Sequence, residues 1–120
     1  MPHLTGSSLS TKGGLVLTYT VDGDLSDSGH WLLSTTVMGG ENGPIHQYGV
    51  KIVDGVQAAA FDFDHVAAEQ HNYTDVTPSR LGDQWTVRFP FDAKATPEGA
   101  KWHADLDANG VDSGRVDGVV

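Results

Sequence analysis

Seven residues, LVLTYTV (Leu15–Val21), constrain the fold more than any other stretch of this chain. Leu15, Leu17, Tyr19 and Val21 fall on one face of an extended strand, and Val16, Thr18 and Thr20 fall on the other. A period of two with β-branched and aromatic residues is the pattern of a half-buried strand and does not fit a helix. The pattern recurs. HWLLSTTVM aligns Trp31, Leu33, Thr35 and Val37, and IHQYGVKIV aligns Tyr48, Val50 and Ile52. QWTVRFPF sets Trp85, Val87, Phe89 and Phe91 inward, with Thr86 and Arg88 outward. KWHADLDA sets Trp102, Ala104 and Leu106 inward, with Lys101, His103, Asp105 and Asp107 outward. VQAAAFDFD reads as a further strand and Val111 to Val116 as the last.

Between these runs lie turn signals. Asp54-Gly55, flanked by Val53 and Val56, predicts a two-residue hairpin, because a type I′ turn needs φ > 0 at both central residues. GGENGP and TPSRLGD read as loops, AAEQHNYTDV as a weaker strand or one helical turn near Ala67 to Gln70, and DAKATPEGA as a long connection. Pro90 cannot donate to a ladder, so its strand lies at an edge or ends there. The opening residues 1–14, polar and glycine-rich, read as a loose arm, with one domain over 15–120. The expectation is an all-β chain of roughly seven to nine short strands folded as an antiparallel β-sandwich, with a small closed β-barrel as the alternative.

Composition supports this. Of 16 acids, 13 are aspartate, a poor helix former and a good turn former, and there are 15 glycines. The net charge of −9 works against nucleic acid and anionic membranes as partners. It suits a basic partner, a cation or plain solubility. With no cysteine there is neither a disulfide framework nor a thiolate metal site. No apolar run is long enough to span a membrane as a helix. No leader of signal type opens the sequence, so the chain is expected to be either cytoplasmic or a mature extracytoplasmic form.

The tryptophan-led strand, the Asn109-Gly110 turn and the final strand resemble the closing hairpin of immunoglobulin-like sandwiches, over about the last 40 residues. The cysteine-free, Asp/Ala/Gly/Val-rich character looks like small extracytoplasmic β-sandwich proteins of high-GC bacteria. The resemblance implies the sandwich architecture and a secreted or surface location. The cysteine pair of antibody domains is missing, and no functional residue is carried over.

Three clusters could carry chemistry. DLDANGVDSG (Asp105–Gly114) places Asp105, Asp107, Asn109 and Asp112 at calcium-loop spacing. Position 12 is Val116 where a bidentate acid is wanted, and the flank alternates as a strand. A hairpin is therefore the main expectation, with weak calcium binding, completed by Asp112 or Asp117, as the minor one. A second cluster, Asp22, Asp24 and Asp27, could meet the first at one end of a sandwich. The third, FDFDHVAAEQH, offers Asp62, Asp64, His65, Glu69 and His71 for a metal or an acid/base pocket. Because Asp62 and Asp64 alternate with Phe61 and Phe63, it also reads as a solvated strand face. His46 and His103 are the other histidines expected on strand surfaces, beside His3 and His30.

No cysteine nucleophile, G-x-S-x-G elbow or phosphate-cradling loop is present, so catalysis has little footing. The reading is a non-catalytic, secreted or surface-displayed binding module that takes a protein, glycan or cation through its loops, with no resident cofactor. The alternative is a small β-barrel enzyme or ligand carrier with Tyr19, Trp31, Tyr48 and Trp85 around a His/Asp pocket. A third is an acidic surface that captures a basic protein.

Overall fold

The computed structural model describes residues 3–23, 29–39, 45–90 and 99–120. Among them are ten strands and no helix. These are β1 (His3–Ser10), β2 (Leu15–Asp22), β3 (His30–Met38), β4 (Ile45–Val53), β5 (Val56–Asp64), β6 (Glu69–Tyr73), β7 (Ser79–Leu81), β8 (Gln84–Phe89), β9 (Lys101–Ala108) and β10 (Val111–Val119). They form two antiparallel sheets, β1-β2-β8-β7 and β10-β9-β3-β4-β5-β6. The protein is a β-sandwich.

The closed-barrel alternative is overturned, because each sheet keeps two edges and the space between them is filled. Leu15, Leu17, Tyr19, Val87 and Phe89 of the smaller sheet pack against Leu33, Val37, Val50, Ile52 and Leu106 of the larger. Burying these side chains contributes about 1.5–3 kcal/mol each, the main term holding the sheets together. Tyr19 Oη and Thr35 Oγ1, 2.7 Å apart, satisfy each other in this core.

The loose-arm reading of residues 1–14 is corrected over His3–Ser10, which form β1 on β2 from His3↔Asp22 to Ser10↔Val16. Only Leu4 and Leu9 are apolar there, so hydropathy hides the strand. Leu4 is buried, and the Ser7 hydroxyl donates to the Thr18 carbonyl at 2.6 Å. β7, within the stretch read as the loop TPSRLGD, is the other unexpected strand, and residues 69–73 are strand and not helix.

Both expected hairpins form. Asp54 and Gly55 have φ of 50° and 81°, with Val53↔Val56 paired across the turn. Asn109 and Gly110 have φ of 53° and 84°. These two turns also hold the start of β3. Asp54 Oδ1 accepts from the Gly29 amide and Asn109 Oδ1 from the His30 amide, each at 2.8 Å. β8 ends before Pro90, Val87 and Phe89 are buried, and Arg88 is exposed. Trp85 is only half-buried, with the Arg80 guanidinium 5.4 Å from its ring centre. Phe91, the GGENGP turn after Gly39, Asp24, Asp27 and most of the connection after Pro90 lie outside the described residues.

One departure re-aims a whole strand. Val53 pairs Val56 and Ile52 pairs Gln57, but Lys51 pairs Ala59, so Ala58 is one extra residue in β5. Such a bulge flips every later side chain to the other face. Beyond it Ala60, Asp62 and Asp64 share the inner face with Val50, Tyr48 and His46, and Phe61 and Phe63 stand on the outer face. The expectation that Asp62 and Asp64 face solvent and the phenylalanines face the core is thereby reversed.

Candidate functional site

The outer face of the six-stranded sheet is where polar, charged and aromatic side chains converge. Strand alternation projects His103, Asp105 and Asp107 from β9 on the side opposite buried Trp102, Ala104 and Leu106. Register places Thr36, Ser34 and Leu32 of β3 beside them in that order. β4 adds Gln47 and Gly49, and β5 adds Phe61 opposite Gly49 and Phe63 opposite Gln47. The absence of a side chain at Gly49 lets the Phe61 ring lie across its backbone. A Cβ there would come within 2.7 Å of Phe61 Cζ and 3.3 Å of Leu32 Cδ1.

Two adjoining hollows result. One, of about 430 Å³, is lined by Ser34, Thr36, Gln47, His65, Asp105 and Arg115 among others. The second, of about 510 Å³, is lined by His30, Lys51, Ala59, Phe61, Gln70 and Gly110 among others. Leu32 and Asp107 line both.

The charges in this groove are partly settled internally. Asp105 Oδ2 lies 2.6 Å from His103 Nδ1, and Asp105 Oδ1 accepts from Arg115 Nε at 2.8 Å. Asp105 and its negative neighbours Asp112 and Asp117 hold the Arg115 guanidinium above its ordinary pKa, the Asp105 hydrogen bond first. Asp107 sits directly opposite Asp112 across the β9–β10 pair, where like charges disfavour each other, and it has no hydrogen-bond partner among the described residues. His65 Nε2 lies 3.2 Å from Gln47 Oε1, and its ring meets Phe63 edge-on at 4.8 Å.

The candidate calcium residues are only partly brought together. Asp105, Asp107 and Asp112 line one hollow, but the first is engaged by His103 and Arg115. Asn109 is spent on the His30 amide. Among the described residues no group of three or more His, Asp or Glu is arranged to hold a metal ion. Asp22 lies opposite His3 at the end of the smaller sheet.

The third cluster is split between the two faces. His65 belongs to the outer groove. Asp62, Asp64 and His71 share the core-side face of their strands with His46, Tyr48 and Tyr73 at the end of the sandwich, where His71 is exposed and the two aspartates are half-buried. The Tyr73 hydroxyl donates to Asp62, and the His71 and Tyr73 rings are 4.6 Å apart. Burial first, then the Asp62 carboxylate, raises the Tyr73 phenol above its usual range. Asp64 is 3.5 Å from His46 Nε2. Its Oδ1 accepts from the Val66 and Ala67 amides at 2.9 and 3.1 Å, and these bonds, Ala67 first, hold the carboxyl below its ordinary pKa.

Sequence reasoning missed Leu32, Gln47, Phe61, Gln70 and Arg115. Arg115 could not be found by pairing the last hairpin residue by residue, because a register shift after Asp112 sets it opposite Asp105, where unbroken pairing would set it opposite Ala104. Nor could the outward phenylalanines, because the alanines before them fit either face. No family model, no curated protein and no solved structure matches the chain.

Proposed function

We propose that this protein is a non-catalytic binding module whose ligand lies in the outer-face groove of the six-stranded sheet. The single observation behind this reading is the bulge at Ala58. It turns two phenylalanines toward solvent and two aspartates toward the interior, against the ordinary economy of a sandwich. Leu32 and Phe61 meet over Gly49 as half-buried apolar surface among polar groups, the kind of surface that marks an interaction site. The earlier expectation of binding through loops moves to the sheet face, where strands hold the side chains rigidly.

Binding is favoured over catalysis by how the one His–carboxylate pair in the groove is held. Arg115 shares the Asp105 carboxylate with His103, and among the described residues no hydroxyl is hydrogen-bonded to His103. The acidic surface argues against nucleic acid and anionic membranes as partners. A secreted or surface-displayed location belongs to the same proposal.

The test is amide chemical-shift mapping with a panel of soluble polysaccharides and purified secreted proteins. A panel member that binds is expected to shift amides in 32–36, 47–49, 59–63 and 105–107 and to leave β1, β2, β7 and β8 unmoved. Shifts confined to the turns at Asp54-Gly55 and Asn109-Gly110, chemical conversion of a panel member, or no binding by any member would overturn the proposal.

A further inference from the structure

Resting on the reading above, we infer that the groove takes an internal stretch of a neutral polysaccharide chain. The groove runs across the strands. From β10 to β5 there are four interstrand steps, about 19 Å, enough for several sugar rings in a row. Its two hollows fall in the size range of small-ligand sites. A stable protein partner wants a broad patch of roughly 800 Å² per side.

The lining matches the two-sided chemistry of a pyranose. Phe61 and Leu32 offer apolar surface to the C–H face of a ring. Asp107, Gln47 and Gln70 are planar groups able to engage neighbouring hydroxyls in pairs, and Asp107 has no partner among the described residues to give up. All of them stand on strands or strand ends, so little ordering cost remains to be met on binding.

Other occupants fit less well. An extended peptide docks on a sheet by adding a strand at an edge, through main-chain hydrogen bonds. The groove crosses the middle of the sheet, where the backbone of β9, β3, β4 and β5 is already used in ladders. A polyanion, whether an acidic polysaccharide or nucleic acid, meets a chain of net charge −9 and a groove in which Asp107 faces Asp112.

The experiment is native affinity electrophoresis through gels containing hydroxyethyl cellulose, soluble xylan, laminarin, galactomannan or dextran, with hyaluronan as the acidic comparison. The protein is run as wild type, Phe61→Ala, Asp107→Ala and Gln70→Ala. Leu81→Ser, on an exposed position of the other sheet, serves as the control. At least one neutral polymer is expected to retard the wild type and hyaluronan to leave it free. Each groove variant is expected to weaken binding by about tenfold or more, with Leu81→Ser within about twofold of wild type. Gln70 is exposed, so its variant stays informative even if Phe61→Ala lowers stability.

Retardation by none of the neutral polymers, equal retardation by hyaluronan, or retardation unchanged in the groove variants would overturn the inference. The two failures are separable. If no polysaccharide binds but a secreted protein shifts the outer-face amides, the groove stands and the glycan falls. If bound ligands shift only other regions, both fall.

Discussion

Asp64 closes β5 by folding back on the chain that follows it. Its carboxylate takes the amides of Val66 and Ala67, which lets Ala68 hold a φ of 56° and starts β6. Those two bonds favour the ionised form, so the folded-state pKa lies below the unfolded value of about 3.9. The stability gained this way is present above that value and is lost as pH falls through the folded pKa. Asp64→Asn keeps an acceptor but loses the charge. Urea midpoints of wild type and variant should differ at pH 7 and converge below the ordinary aspartate range. A constant gap across that window would assign the Asp64 interaction to packing and not to charge. Asp54 and Asn109 belong to the same class of short polar side chains. Their turn roles were legible because Asp-Gly and Asn-Gly meet the backbone demand locally; their second bonds, to Gly29 and His30, depend on the fold.

β5 shows where legibility stops at the level of elements. Alternation revealed β2, β3, β4, β8 and β9 because each carries large apolar residues at every second position along most of its length. In QAAAF three small alanines suit an inner or an outer position, so the extra residue leaves no mark in hydropathy. The candidate site inherits this limit: Asp105 and Asp107 were legible as outward residues, whereas Phe61 and Phe63 were placed on the wrong face. Deleting Ala58 removes the extra residue and joins Gln57, opposite Ile52, directly to Ala59, opposite Lys51. Phe61 and Phe63 then keep their places opposite Gly49 and Gln47 on the outer face, and Asp62 keeps its bond to Tyr73. We expect the deletion to leave ligand retardation in place and to change stability by under about 1 kcal/mol in urea denaturation. Loss of retardation together with a larger fall in stability would mean that Ala58 is not a spare residue and that the faces of β5 depend on it.

At the scale of the molecule, two sheets of unequal size share one core, and β1 decides how well one flank is closed. It completes the smaller sheet on β2. It also passes so near β10 that a Cβ on Gly114 would lie 2.7 Å from the Leu4 carbonyl oxygen. Sequence placed the boundary of the folded unit at residue 15, because serines and glycines outnumber apolar residues before it; the strand is held by ladder bonds, serine–Thr18 contacts and one buried leucine. Removing residues 1–10 therefore tests the architecture as a whole. Losing the burial of Leu4 costs about 1.5–3 kcal/mol. Exposing Leu15, Leu17 and the β2 ladder adds to it, so we expect a total of at least about 3 kcal/mol, a large share of a typical domain's stability. The bare β2 edge is also a template for pairing with a second chain. The shortened protein should therefore show a lower urea midpoint and concentration-dependent association in sedimentation velocity. A shortened chain that stays monomeric and keeps the parent's midpoint would return residues 1–10 to the status of an arm and leave the six-stranded sheet and its groove to stand without them.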